Sequence, residues 1–208
     1  MSQRPIDPHA IRIPQRSGLP PCLYIPVAAR DAEAIEKYVG IIVAQLATRS
    51  SGAAMLVETH EPEKGDLRLP IWSIPEAIVL HCPRQVWVHV DYRAYRRAYV
   101  KAFPAANLSG LFLDHIMNRR IARLKLFNYL RILPVPSPVN SSHGVLSERS
   151  GFEYHSSPEM VEINRKSQAV VQYADLADIV KMLNMKCGGS HMDQINEAQR
   201  LVELPKTS

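Results

Sequence analysis

The chain lacks any apolar run approaching the roughly 18 residues that a membrane-spanning helix needs. Its start, Met1 to Ile13, places Pro5 and Pro8 where a signal peptide would carry an apolar stretch. These absences lead to the expectation of a protein that neither crosses a membrane nor is secreted, with a cytoplasmic location. Cysteine is scarce as well: Cys22, Cys82 and Cys187 are far apart and outside any Cys-x-x-Cys pair. An odd, scattered set gives no disulfide framework and fits a reducing compartment. The nine glycines form neither a phosphate-binding loop nor a dinucleotide fingerprint, and no Gly-x-Ser-x-Gly elbow marks a hydrolase nucleophile. Internal repeats and low-complexity segments are missing too.

What is present is an ordinary globular composition, 46% hydrophobic and 22% charged over 208 residues, enough for one full core. The net charge of +5 is unevenly placed. Between Arg93 and Arg131 nine basic residues (Arg93, Arg96, Arg97, Lys101, Arg119, Arg120, Arg123, Lys125 and Arg131) face a single acid, Asp114, so the segment carries +8 and the remainder −3. Such asymmetry is the electrostatic footprint of a surface that meets a polyanion, nucleic acid above all, with an acidic protein as the other candidate partner. The plain alternative is a pair of solvated helix faces.

Six prolines within residues 1–30 (Pro5, Pro8, Pro14, Pro20, Pro21 and Pro26) forbid a helix interior and predict an N-terminal arm. From Asp31, the residues Ile35, Tyr38, Val39, Ile42, Val43 and Leu46 recur at helical spacing, so a helix capped by Asp31 and ending before Gly52 is expected. Ala54–Glu58, Ala77–His81 and Val86–Val90 read as strands, the last two as a hairpin that sets His81 opposite His89. A helix over Tyr92–Phe103, capped by Asp91 and stopped by Pro104, turns Arg93, Arg96, Arg97 and Lys101 outward and Tyr92, Tyr95, Tyr99 and Phe103 inward. Leu111–Ile116 reads as a strand, Met117–Phe127 as a helix, Tyr129–Val135 as a strand and residues 140–156 as a polar loop. Helices are expected over 158–173, 175–185 and 191–204, with Gly188 and Gly189 as a stop and Ser190 as a cap. The sum is an α+β fold: a small mixed or antiparallel sheet with flanking helices. Its core spans 31–150, and a helical C-terminal third over 151–208 belongs to the same domain.

Leu113-Asp114-His115-Ile116 places an acid and a histidine together at a strand end, where neighbours point to opposite sides yet stay close. Asn128-Tyr129-Leu130-Arg131 follows as a second strand, with Asn140 and His143 beyond it. Over residues 110–145 this pattern resembles the HNH family of ββα-metal nucleases. The resemblance implies His115 as general base and Asp114 as a metal ligand. It also implies Asn128 as the residue that fixes the catalytic loop, and Asn140 or His143 as the distal ligand. A single divalent ion, magnesium or similar, would be the cofactor. The nucleic-acid contacts would then be Arg93, Arg96, Arg97, Lys101, Arg119, Arg120, Arg123 and Arg131.

Two other readings stand beside it. In the first, the protein is a non-catalytic binding or assembly module, His115 bonds a neighbouring backbone carbonyl, and Asp114 caps the helix over 117–126. In the second, a small-molecule enzyme uses the 140–156 loop with His143 and His155. Convergence of Asp114, His115 and either Asn140 or His143 on one exposed point separates the nuclease from both.

Overall fold

The computed structural model describes residues 5–10, 25–48, 50–60, 82–145 and 147–184. The expected strand over 77–81, including His81, and the expected helix over 191–204 lie outside the described residues, as do Cys22 and Cys187. Seven strands form one antiparallel sheet: β1 (Pro26–Ala29), β2 (Gly40–Gln45), β3 (Ala54–Thr59), β4 (Arg84–His89), β5 (Leu111–His115), β6 (Tyr129–Pro136) and β7 (Val171–Tyr173). The helices are α1 (Ala32–Tyr38), α2 (Tyr95–Ala102), α3 (Arg119–Leu124), α4 (Ser137–Val145), α5 (Ser147–His155), α6 (Pro158–Lys166) and α7 (Leu176–Met182). The fold is therefore α+β, as the sequence predicts.

The strand order is β2-β3-β4-β6-β1-β7, with β5 also paired to β6. On β6, Leu130 lies between Val88 and Ala28, whereas Ile132 lies between Val86 and His115. Thus β1 and β5 share one edge of β6, one after the other, and β6 carries the site-bearing strand. Two-residue alternation divides the core between the faces. Met55, Val57 and Trp87 pack with Ile35 and Tyr38 of α1, while Leu56, Val86 and Val88 pack with Ala98 and Tyr99 of α2. Both faces of the sheet are covered, so its central strands read as continuous apolar runs.

Several expectations are corrected. The helix from Asp31 stops at Tyr38; Asp31 does cap it, accepting from the Ala34 N–H at 2.8 Å, but Gly40–Gln45 is a strand. The run Gly-Ile-Ile-Val is β-branched, and Ile41 and Val43 point to solvent while Gly40 is buried and Ile42 half-buried. Instead of belonging to the N-terminal arm, Pro26–Ala29 is a fully buried strand paired on both edges, and Pro26 occupies its first position. The edges of β4 are taken by β3 and β6, so no hairpin partner sits along Val86–Val88, and the ring beside His89 is that of Tyr129. Helix α2 begins at Tyr95 with Ala94 at its cap position, which offers no capping side chain, and the Asp91 carboxylate pairs instead with Arg123 at 2.6 Å. Residues 140–145 and 147–155 are helical, in α4 and α5; Pro138 sits in the first turn of α4, where a missing N–H has no intrahelical partner to lose. Finally, the helix expected over 158–173 ends at Lys166, since Asp7 takes the N–H groups of Val170 and Val171 at 2.8 and 3.0 Å and Val171–Tyr173 pairs with β1.

Candidate functional site

Asp114 and His115 end β5 and face opposite ways, as adjacent strand residues must. His115 shares a face with its cross-strand neighbour Ile132 and turns its ring edge to Tyr95 of α2, 4.8 Å between centroids. It is 5% exposed, and among the described residues its Nε2 has no hydrogen-bond partner. Burial first, then the cations of Arg119 and Lys181, push its pKa down to about 4, so the ring is neutral at physiological pH.

Asp114 faces Lys181 of α7. Its Oδ2 lies 2.5 Å from Lys181 Nζ, and its Oδ1 accepts the His115 backbone N–H at 2.9 Å. Lys181, 2% exposed, also reaches Glu148 of α5 at 2.8 Å and donates to the His115 carbonyl at 3.3 Å. Burial alone would lower the lysine pKa, but Asp114 and Glu148 outweigh it and hold the ammonium charged above its ordinary range. Burial raises the Glu148 pKa, and Lys181 and Asn118 together bring it below the usual carboxylate value. Asn118 donates to Glu148 at 2.5 Å while its side-chain oxygen accepts the Arg120 N–H at 2.8 Å. The cap of α3 is therefore Asn118, and Asp114 is a partner of Lys181.

Around this network opens a cleft of about 250 Å³, lined by Asp114, His115, Arg119, Arg120, Arg123 and Glu148, with Asn118 at the start of α3. Arg119 Nε donates to the Val90 carbonyl at 2.8 Å, Arg123 pairs with Asp91, and the Arg120 guanidinium stacks on Phe152 at 3.8 Å. Residues 90–95 join the cleft to α2. There Arg93, Arg96, Arg97 and Lys101, all exposed, line an open groove together with Val100. Beneath them Ala98 and Tyr99 are buried, and Tyr95 and Phe103 pack against the same core, as the sequence predicts.

The remaining residues singled out in the sequence are placed elsewhere. Arg131 is fully buried; as the cross-strand neighbour of Trp87 it faces the α1 side of the sheet, away from α2, and is corrected out of the nucleic-acid set. Lys125 is half-buried and donates to Gln172 at 2.5 Å. Asn128 donates to the Arg30 carbonyl at 2.8 Å, tying the start of β6 to the end of β1. Asn140 and His143 lie on α4, half-buried and buried respectively, and His143 acts on Glu148 electrostatically. His155 lies on α5 beside Asn164, and burial there brings its pKa to about 4.

The donor set does not fit a divalent ion. Among the described residues no three of His, Cys, Asp or Glu are grouped to hold one, and the Asp114 carboxylate already faces an ammonium. Lys181 and Glu148, the residues that define the network, were missed in the sequence. A lysine inside Ile179-Val180-Lys181-Met182 was the available signal, because a charge in an apolar helical run requires a buried partner. No family model matches the chain, and neither the curated proteins nor the solved structures give a match.

Proposed function

We propose that this protein binds nucleic acid through the basic face of α2 and the adjoining α3, without cleaving it. The observation that carries this reading is the α2 groove. Arg93, Arg96, Arg97 and Lys101 are exposed along it, and among the described residues no carboxylate pairs with any of them. Unneutralised cations on α2 and just before its start supply the counterion-releasing contacts that a phosphate backbone rewards. The aromatic residues of α2 are spent on packing against the sheet, so phosphate contacts and not base stacking dominate the interaction.

The Asp114–His115 pair then takes no part in cleavage. A buried imidazole of pKa about 4 is a weak base at neutral pH, and the carboxylate beside it is held by Lys181. The test is fluorescence anisotropy with labelled oligonucleotides, run beside a cleavage assay with magnesium and with manganese. Charge reversal of Arg96 and Arg97 to Glu is expected to weaken binding by about tenfold or more, with no cleavage by the wild type. Unchanged affinity would overturn the interface, and divalent-ion-dependent cleavage lost in His115→Ala would overturn the non-catalytic part.

A further inference from the structure

We propose that the cleft between the end of β5, the start of α3 and α5 is a binding site for a phosphomonoester group, which it takes with one proton and distinguishes from sulfate. The inference stands on the cleft itself and does not need the nucleic-acid reading of α2.

Three guanidinium groups line this cleft. Arg120 is held flat against Phe152, yet its side chain makes no hydrogen bond or ion pair among the described residues, so its donors stay free for a ligand. Arg119 uses Nε on the Val90 carbonyl, which fixes the side chain and leaves its two terminal nitrogens available. Arg123, paired with Asp91, adds charge from a fixed position. Guanidinium forks held in place by other contacts suit the tetrahedral oxygens of a phosphate.

A second, independent observation points to a ligand. His115, 5% exposed, lines the same cleft, and among the described residues its Nε2 has no hydrogen-bond partner, a state that costs free energy until something bonds it.

The carboxylates of Asp114 and Glu148 also line the cleft, and they set its specificity. Lys181 and Asn118 bond their oxygens from one side, but each carboxylate retains lone pairs. A fully deprotonated oxyanion is repelled there. A phosphomonoester, whose second pKa lies near about 6, can keep a proton and donate it in a hydrogen bond to a carboxylate, which sulfate cannot do.

The test is isothermal titration calorimetry of the full chain with inorganic phosphate and with inorganic sulfate, at neutral pH and equal ionic strength. Phosphate is expected to bind, and sulfate at least about tenfold more weakly. Arg120 is exposed and outside the buried network, so Arg120→Ala should keep its circular dichroism and melting temperature while losing about ten- to a hundredfold in phosphate affinity. A nucleoside monophosphate, a 5′-phosphorylated oligonucleotide and its 5′-hydroxyl twin then compete with phosphate. Competition by the phosphorylated forms alone supports the site and names a nucleotide or a strand end as the source. Equal affinity for phosphate and sulfate, absent phosphate binding, or an Arg120→Ala variant that matches the wild type overturns the proposal. Oligonucleotide binding that persists without any phosphate binding leaves the α2 interface standing and removes the cleft.

Discussion

Lys181 sits 2% exposed between two carboxylates, and its charge is what allows Asp114 and Glu148 to lie in one network. Removing one partner of a buried ion pair leaves uncompensated charge, so Lys181→Met is expected to cost about 3–5 kcal/mol in urea unfolding. A loss under about 1 kcal/mol would show that water already screens the triad. His115 gives the protein an acid sensitivity. Its folded pKa of about 4 lies below the ordinary 6.5, pushed down first by burial and then by Arg119, Lys181 and Arg123, with Glu148 opposing them. Between those values the unfolded chain binds the proton and the folded one does not. Stability is therefore complete above 6.5 and falls as the pH drops toward 4, by up to about 3 kcal/mol from this one group. Urea unfolding of His115→Gln across that range should show a flatter pH dependence than the wild type; parallel curves would contradict the assignment. The Asp114–His115 pair was legible because adjacent strand residues take opposite faces. Its partners were not, since Lys181 lies 66 residues from His115 and 33 from Glu148 and only the packing of α7 and α5 joins them.

At the scale of elements, β2 shows where local pattern and tertiary context part. The spacing from Ile35 to Leu46 fits a helix as well as it fits a short helix followed by a strand, and pairing with β3 decides. Gly40 makes that pairing possible: a Cβ there would lie 2.1 Å from the Glu58 carbonyl oxygen. Gly40→Ala is expected to destabilise the fold by about 2 kcal/mol or more, since the obstructing atom is backbone and cannot swing aside. Gly144, with nothing within 4 Å of its notional Cβ, is the control, and Gly144→Ala in α4 should be neutral or gain up to about 1 kcal/mol. Equal melting curves for the two variants would mean that β2 is free to shift. Strands β3, β4 and β6 were readable from apolar or β-branched runs bounded by turns, and β5 from the apolar run Leu111-Phe112-Leu113 after Gly110. Helices α4 and α5 were not, because Asn140, Ser141, Ser142 and Gly144 carry loop-like chemistry and the contacts of α4 with β5, β6 and α7 override it.

For the whole molecule, counting charge along the chain overstated the basic surface and still located it. Two of the nine cations between Arg93 and Arg131 are withdrawn, Arg131 into the α1 side of the sheet and Lys125 onto Gln172. Alternation along β6 accounts for Arg131, and that was readable once the register against Trp87 was known. The exposed ones, Arg93, Arg96, Arg97 and Lys101 at α2 and Arg120 and Arg123 on α3, line the groove and the cleft. The most direct test of the central claim is the dependence of oligonucleotide affinity on salt. Each phosphate neutralised adds about 0.9 to the slope of log K against log salt for duplex DNA, so the four cations of the groove, Arg93, Arg96, Arg97 and Lys101, predict a slope of about −3 to −4. The Arg96→Glu, Arg97→Glu double variant should flatten it by about 2. A wild-type affinity indifferent to salt, or a variant whose slope equals that of the wild type, would contradict the account.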